Sequence, residues 1–246
     1  MKKASIITVC YNSEKTIRKT LESVLNQTIS DFEYLIIDGK SSDSTVSIAE
    51  EYRDKFESKG ICYRIYSESD TGIYDAMDKG IMLAEGDVVG IVNSDDWYEP
   101  NAMEIAIEEY ERSHYELFMC SLNIWRGGKK TVKRPKIRKY KSSRDFCHPS
   151  LFVSKACYER IGLYRRDFFY GDLDFWLRAF KKGAKISISE NAIVSNFVLG
   201  GVSNKKSLNK FLIKIKGRYE AYKINGYSKL YIFEAIGMEI AKMVLV

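Results

Sequence analysis

Four short apolar runs rich in β-branched residues, all within the first hundred positions, constrain the fold of this chain more than any other feature. Each run ends in polar residues and is followed by a segment whose apolar side chains recur at three- and four-residue steps. Strand-like runs followed by helix-like spacing predict an α/β fold with a doubly wound, mainly parallel sheet. The predicted strands cover residues 5–10, 33–37, 61–66 and 87–92, and the predicted helices cover 13–25, 43–56, 73–83 and 100–112.

The second half of the sequence is less regular. Residues 117–125 predict a strand, which a glycine pair at 127–128 joins to a basic partner strand at 131–134. Ser154 is a suitable cap for a short helix. The remaining predictions are a helix over 172–182, strands at 185–188 and 192–198, one large domain over 1–203, and a basic, amphipathic helical tail over 204–246.

The net charge of +6 is unevenly distributed. Residues 126–144 contain ten lysines and arginines and no acid, and residues 205–229 contain eight against the single Glu220. The rest of the chain is therefore net acidic. An acidic body with basic appendages is typical of a metal-binding core that docks on something anionic, although both basic runs also fit ordinary solvated surface.

The five cysteines are scattered without a C-x-x-C spacing, so the sequence indicates no zinc or redox motif, and a reducing cytoplasm is the expected compartment. The apolar start of the chain is interpreted as a buried strand, because no small-residue cleavage site follows it. No apolar stretch is long enough to predict a membrane-spanning segment.

Polar residues at the ends of the predicted strands are the first candidates for a binding site, because ligands of doubly wound sheets bind beyond the carboxyl ends of the strands. Asp38 directly follows the second strand, where its carboxylate can accept a hydrogen bond from a base N–H or a ribose hydroxyl. A turn or helix-capping role explains Asp43 completely but Asp38 only in part. Asp38 is therefore predicted to hold a nucleoside.

Asp95 and Asp96 form a second candidate site after the fourth strand. Two adjacent carboxylates repel each other, and a cation or a shifted pKa must relieve the repulsion. Mg²⁺ and Mn²⁺ prefer hard oxygen ligands and are commonly held by one or two carboxylates together with substrate phosphate oxygens. The pair therefore predicts a metal diphosphate site, with a purely structural loop as the alternative.

Several of these segments, taken in order, resemble glycosyltransferase family 2, whose members are inverting enzymes with the GT-A fold. The resemblance covers roughly residues 3 to 200 and rests on four motifs. The first three resemble the family as a whole, and the last is similar to a segment of the bacterial polysaccharide-assembly members. The motifs are S-I-I-T-V-C-Y-N, L-I-I-D-G-K-S-S-D-S-T, V-N-S-D-D-W-Y and S-E-S-D-T-G-I-Y-D-A-M-D-K-G. The segment 200–203, G-G-V-S, also recurs in those members, and it is expected to close over the donor or simply to turn the chain.

The resemblance implies a nucleotide-sugar donor, a divalent metal, Mg²⁺ or Mn²⁺, and a set of donor-binding residues. Asp96 is the expected direct metal ligand, with Asp95 on the diphosphate and the metal. The other implied residues are Thr8, Tyr11, Asn12 and Asp38 for the nucleoside, and Asp70 and Lys79 near the nucleotide sugar.

The catalytic base is expected in G-D-L-D-F-W-L-R, which resembles the family's Glu-Asp motif and the helix after it. The resemblance places the base at Asp172, and inversion needs one such carboxylate to accept the proton of the attacking hydroxyl. Gly171 stands where many members have glutamate, so the neighbour's supporting role is unfilled. Asp174 is the fallback base, and both aspartates also fit a first-turn role that complements the helix dipole.

His148 and Asp174 are the candidates for the acceptor side. His148 is one of only two histidines and lies where the family places acceptor-side residues, although a lone histidine is more often a hydrogen-bonded structural residue.

The C-terminal segment carries an apolar stripe at Leu230, Phe233, Gly237, Ile240 and Val244. Such a stripe packs on its own domain, on a second subunit or into a membrane interface. With the preceding basic run, a peripheral contact with an anionic membrane is one expectation, because each basic residue near such a surface contributes about 1 kcal/mol, and packing on the domain or on a partner is an equal alternative.

The sequence therefore predicts a metal-dependent inverting glycosyltransferase that moves a sugar from a UDP-sugar to a saccharide acceptor, free or lipid-linked, in surface-polysaccharide assembly. The expected location is the cytoplasm, at the inner face of the cell membrane if the tail attaches there. A nucleotidyltransferase is the first alternative, but no glycine-rich phosphate loop follows the first strand. A non-enzymatic module that binds an anionic polymer is the second, and nucleic acid is not expected as a partner because no nucleic-acid-binding motif occurs.

Overall fold

The computed structural model describes residues 3–199 and 208–245, and nine strands of that part form one sheet. The strands are β1 Ala4–Cys10, β2 Phe32–Asp38, β3 Cys62–Ser67, β4 Val88–Ile91, β5 Trp97–Tyr98, β6 Leu117–Arg126, β7 Lys129–Lys133, β8 Leu151–Ser154 and β9 Ile186–Val198. Their order across the sheet is β3-β2-β1-β4-β8-β6-β9-β5, with β7 paired to β6.

Nine α-helices are found in the described residues. They are α1 Ile17–Leu25, α2 Thr45–Glu50, α3 Arg53–Ser58, α4 Ile73–Leu83, α5 Ala102–Ser113, α6 Lys155–Ile161, α7 Gly171–Lys181, α8 Leu208–Ile224 and α9 Tyr231–Leu245, and a 3-10 turn covers His148–Ser150. The helices cover both faces of the sheet: the core on one face includes side chains of α1, α2, α3 and α5, and the core on the other includes side chains of α4, α6, α7 and α8.

The first four strands confirm the predicted parallel arrangement, since β1 pairs in parallel with β2 and β4, and β2 pairs in parallel with β3. The residues of β1 and β2 are buried throughout, as expected for strands covered on both faces. Beyond β4 the sheet becomes mixed, because β8 joins both β4 and β6 in antiparallel register. The parallel half is the part that brings strand ends together at one edge.

Three local predictions need correction. The helix predicted over 43–56 is two short helices separated by a turn at Glu51 and Tyr52. Pro100 precedes α5 instead of lying inside it, since the helix begins at Ala102. The two strands predicted over 185–198 are a single strand, β9, whose register against β6 shifts around Ser121. An irregularity of this kind interrupts the alternation of side chains along a strand and leaves it intact on either side. The sequence of one strand then resembles that of two.

The C-terminal helices pack on the domain. Arg218 of α8 forms a buried ion pair with Glu239 of α9, at 2.6 Å between Nη2 and Oε1. Glu234 of α9 accepts hydrogen bonds from Ser142 and Ser143 at 3.0 Å each. The domain boundary predicted at residue 203 and the segment 200–203 lie outside the described residues.

The apolar stripe of the tail points away from these contacts. Leu230, Phe233 and Ile240 are 70%, 69% and 46% exposed, whereas Ala235 and Glu239 are buried. The helix is amphipathic as predicted, but Glu234 and Glu239 face inward, where Glu234 accepts hydrogen bonds through Oε1 and Glu239 pairs with Arg218. None of the helices in the described residues is long and apolar enough to cross a membrane.

Candidate active site

The loops that follow β1 and β2 are tied together at the carboxyl edge of the sheet. The backbone N–H of Asn12 donates to Ser41 Oγ at 2.8 Å, and Asn12 Oδ1 accepts from the N–H of Ser42 at 2.9 Å. Asn12 and Lys40 both have positive φ, at 49° and 63°, a conformation that asparagine adopts more readily than most residues. Asn12 therefore shapes this edge through its side chain and its backbone.

Asp38 ends β2 with no exposed surface. Its Oδ2 accepts from Ser67 Oγ at 2.6 Å and from the Ser41 N–H at 2.9 Å, and Ser41 Oγ donates to its Oδ1. Both carboxylate oxygens therefore organise the surrounding loops. A direct hydrogen bond from a nucleoside would replace one of the serine hydroxyls, so this predicted role remains a prediction.

Thr8 lies in β1 with its side chain in the core, where Oγ1 shares a hydrogen bond of 2.8 Å with the hydroxyl of Tyr34. This side chain therefore packs in the core and does not reach the sheet edge where the other predicted nucleoside residues lie.

A cleft opens at this edge beside Tyr11, Gly39, Lys40, Ser69 and Asp70. A Cβ at Gly39 would overlap the Asp70 carboxylate, so a larger residue would require that carboxylate to move. Asp70 Oδ1 accepts from the N–H of Gly72 at 2.9 Å, which fixes the carboxylate beside the cleft.

Lys79 braces the same wall of the cleft. Its Nζ donates to the carbonyl oxygen of Ser69 at 2.8 Å and pairs with Glu68 Oε1 at 3.0 Å. The structure thus brings three of the predicted donor residues, Tyr11, Asp70 and Lys79, to the cleft or its wall.

Asp95 and Asp96 follow β4 and its short loop. Asp96 is fully buried, and its Oδ1 accepts from the backbone N–H of Val198 at 3.0 Å. Its Oδ2 is buried and has no hydrogen-bond partner among the described residues. Burial, together with the neighbouring charge of Asp95, raises the pKa of Asp96 to about 8, and burial also raises the pKa of Asp95.

This pair fits a divalent cation. A buried carboxylate oxygen without a partner is costly, and a cation beside it would remove that cost. No cluster of three or more His, Cys, Asp or Glu side chains that could hold a metal occurs in residues 3–199 and 208–245. One or two carboxylates are nevertheless enough protein ligands for Mg²⁺, which is commonly bound together with substrate phosphate oxygens and water.

Asp172 lies in the first turn of α7 and is half-buried. Its Oδ1 accepts a hydrogen bond of 2.9 Å from the hydroxyl of Tyr74, which belongs to α4. Asp172 is thus held by a tyrosine through one carboxylate oxygen and keeps part of its side chain at the surface.

Asp174 has a different environment, and its predicted role on the acceptor side remains a prediction. Its side chain has no exposed surface and pairs with Arg165 Nη1 at 2.8 Å and with Arg178 Nη2 at 3.6 Å. Asn225 Nδ2 of the tail region also donates to its Oδ1 at 2.8 Å. Asp174 therefore braces α7 against its neighbours.

His148 lies close to Asp172 and half-buried, with Nε2 3.0 Å from the hydroxyl of Tyr164. Burial lowers the pKa of His148, and the charge of Asp172 partly opposes that shift. The imidazole is therefore neutral near pH 7. This position beside Asp172 agrees with the predicted acceptor side, and its hydrogen bond agrees equally with a structural role.

Several residues that shape this edge were not predicted from the sequence. Arg166 joins α4 to the segment before α7, since it contacts Asp75 at 2.7 Å and Asp78 at 3.0 Å. The three-residue spacing of these two aspartates places them on one helix face and was the available signal. No sequence pattern indicated the contacts made by Tyr74 and by the backbone of Val198, because both reach the site from distant parts of the sequence.

Comparison with known families settles the class of protein. Residues 5–170 match the family model described as glycosyl transferase family 2. The chain belongs to this family. The fold confirms the predicted GT-A architecture, and the chain is a glycosyltransferase. The family match ends two residues before Asp172, so it does not cover the candidate base.

A curated relative from Mycobacterium bovis, a PGL/p-HBAD biosynthesis glycosyltransferase, is 30% identical over 220 residues, which cover 86% of this chain and 83% of that protein. This family member and the present chain thus align over most of their lengths.

Solved structures with the same fold include S. aureus TarS 1-349 in complex with UDP-GlcNAc, with a TM-score of 0.70 and 17% identity over 98% of this chain and 72% of that chain. The chain spans 43% of the longer TarS structure. Mannosyltransferase PcManGT from Pyrobaculum calidifontis, in complex with GDP-Man and Mn²⁺, has a TM-score of 0.67 and 13% identity over 99% of this chain and 74% of that chain.

Proposed function

We propose that this family 2 enzyme is a metal-dependent inverting transferase that moves a sugar from a UDP-sugar to an acceptor hydroxyl in surface-polysaccharide assembly. The observation that carries the proposal is the buried, unpartnered Oδ2 of Asp96 beside Asp95, at the sheet edge where the cleft opens. Family membership favours this reading over a nucleotidyltransferase or a non-enzymatic binding module.

Donor and base are proposed to meet at the start of α4. Asp70 of the cleft and Tyr74, which contacts Asp172, lie on either side of Gly72, where that helix begins. Asp95 and Asp96 would hold the metal, which when bound neutralises charge on the leaving diphosphate. Asp172 would take the proton of the acceptor hydroxyl as it attacks the face of the sugar opposite the diphosphate.

The nucleotide is proposed to be UDP because the TarS structure with similar fold was solved with UDP-GlcNAc. The PcManGT structure was solved with GDP-Man, so a GDP-sugar is the alternative donor. A panel of UDP- and GDP-sugars with Mn²⁺ tests the choice by donor hydrolysis and transfer. Turnover of UDP-sugars alone would support the proposal, turnover of GDP-sugars alone would reject the choice of UDP, and no turnover of any donor would reject the function.

Asp38→Ala is expected to weaken nucleoside diphosphate binding. Loss of the carboxylate removes either a charge-assisted bond to the nucleoside or the anchor of the Ser41 loop, and bonds to charged groups contribute roughly 1.5 to 3 kcal/mol. Titration calorimetry should therefore show a dissociation constant raised by about 10- to 150-fold. Glu33→Gln is the control, since Glu33 is buried at the opposite end of the same strand. An unchanged constant in Asp38→Ala would reject the role.

The tail is proposed to touch an anionic membrane through the outward stripe of Leu230, Phe233 and Ile240, near the exposed Lys223 and Lys229. A membrane-held acceptor would then lie within reach of the enzyme. Removing the whole tail would be a poor test, because α8 contributes the buried Ala221 and Tyr222 to the core.

We therefore expect the double variant Leu230→Gln, Phe233→Gln to release the protein from vesicles containing phosphatidylserine in a sedimentation assay. Binding of the unaltered chain should fall with salt, because the electrostatic part of the attraction is screened. Met82→Gln, at an exposed apolar residue of α4, is the control and should bind normally. If the unaltered chain ignores such vesicles at low salt, the stripe has another function.

A further inference from the structure

The position before Asp172 departs from the motif that the surrounding sequence resembles. Gly171 stands where that motif has a glutamate, so no side chain at this position can support the neighbouring aspartate. The structure shows what fills the space instead. A Cβ at Gly171 would lie 2.9 and 3.0 Å from ring atoms of Tyr74 and 3.1 Å from the backbone oxygen of Arg165, so both neighbours crowd this position.

Tyr74 reaches Asp172 from a different helix. Its hydroxyl donates to Asp172 Oδ1 at 2.9 Å, and its ring packs against Tyr164 with ring centroids 5.5 Å apart. Burial, and next the charge of Asp172, raise the pKa of Tyr74 well above its usual value. The phenol therefore keeps its proton near neutral pH and acts as a hydrogen-bond donor to the carboxylate.

We propose that Tyr74 is the positioning residue for Asp172, in place of the missing glutamate, and that Gly171 is glycine because Tyr74, together with the Arg165 backbone, occupies that space. By holding Oδ1, Tyr74 fixes the carboxylate so that Oδ2 is left for the acceptor hydroxyl. This inference rests on the proposed role of Asp172 as the base. Among residues 3–199 and 208–245, the ionisable groups that face Asp172 are Tyr74 from α4, His148 from the 3-10 turn and Tyr164 from the segment before α7.

Tyr74→Phe tests the proposal, because it keeps the ring and removes only the hydroxyl. A hydrogen bond donated to a carboxylate favours its charged form. The acid limb of the pH profile of sugar transfer should therefore move to higher pH by about one unit, with kcat lowered about 10-fold at neutral pH. The dissociation constant for the donor should not change.

Tyr115→Phe is the matched control. Its hydroxyl is also buried and donates to the backbone oxygen of Ala106 at 3.1 Å, far from Asp172 in sequence and on the other face of the sheet. It should leave the pH profile unchanged even if the protein melts at a lower temperature. An unshifted profile in Tyr74→Phe would overturn the inference, and so would a loss of kcat that Tyr115→Phe reproduces.

The close approach of Tyr74 and Gly171 gives a second, independent measurement. Gly171→Ala should lower kcat by displacing Tyr74. The same change should lower kcat much less in a Tyr74→Ala background, because the ring that it would displace is already absent. Strictly additive losses would contradict the inference. The two proposals fail separately: an active Asp172→Asn enzyme rejects the base, whereas an inactive one with a normal Tyr74→Phe profile rejects only the positioning residue.

Discussion

Asp172→Asn is expected to lower sugar transfer to the acceptor by about 10²- to 10⁴-fold while donor binding survives. The amide keeps the shape of the carboxylate and can still accept the hydrogen bond of 2.9 Å from Tyr74, but it cannot take up a proton. Single-turnover rates at saturating donor, together with the dissociation constant for the donor, separate the chemical step from binding.

Asp174→Asn is the control for that prediction, two residues further along the same helix. Its buried carboxylate pairs with Arg165 and Arg178, so the change should lower the free energy of unfolding by about 3 kcal/mol and affect transfer much less. If Asp174→Asn abolished transfer while Asp172→Asn stayed active, the assignment of the base would be wrong.

Asp96→Ala is expected to abolish the metal-dependent part of nucleotide diphosphate binding. Neutralisation of the diphosphate by a divalent cation contributes several kcal/mol, so the dissociation constant in Mn²⁺ should rise at least about 100-fold, toward the value measured with a chelator. Asp87→Ala, at an exposed aspartate before β4, should bind normally. Equal binding by the unaltered enzyme with and without chelator would contradict the metal requirement.

The same carboxylate predicts a pH dependence for metal binding. The pKa of Asp96 is raised to about 8 without metal, so a proton occupies the carboxyl group at lower pH and the cation must displace it. The affinity for Mn²⁺ should therefore increase as the pH is raised toward about 8, and Asp96→Ala should remove this dependence.

Much of this site could be predicted from the sequence because it lies at the ends of parallel strands. Asp38 and the Asp95–Asp96 pair each follow a short apolar run, and parallel pairing alone carries such residues to one edge. The predicted role of Thr8 is less well supported by the structure. Its position in β1 was evident, but the hydrogen bond to Tyr34 that directs its side chain into the core was not.

In the tail, the sequence pattern was evident but the orientation of the helix was not. Its apolar stripe was evident from the spacing of Leu230, Phe233 and Ile240, yet spacing cannot tell which face of a helix meets the domain. Buried partners decided this, since Glu239 pairs with Arg218 and Glu234 is bound by the Ser142–Ser143 turn.

The sequence by itself determined the alternation of strands and helices, the family, and the acidic residues at the strand ends, because these depend on local periodicity and short motifs. Only the tertiary structure decided how far each carboxylate is enclosed. Asp172 and Asp174 are two residues apart in one helix turn, yet Asp172 is half-buried and held by Tyr74, whereas Asp174 is fully buried between two arginines. The difference comes from Tyr74, Arg165 and Arg178, whose positions around the helix are set by packing between distant segments.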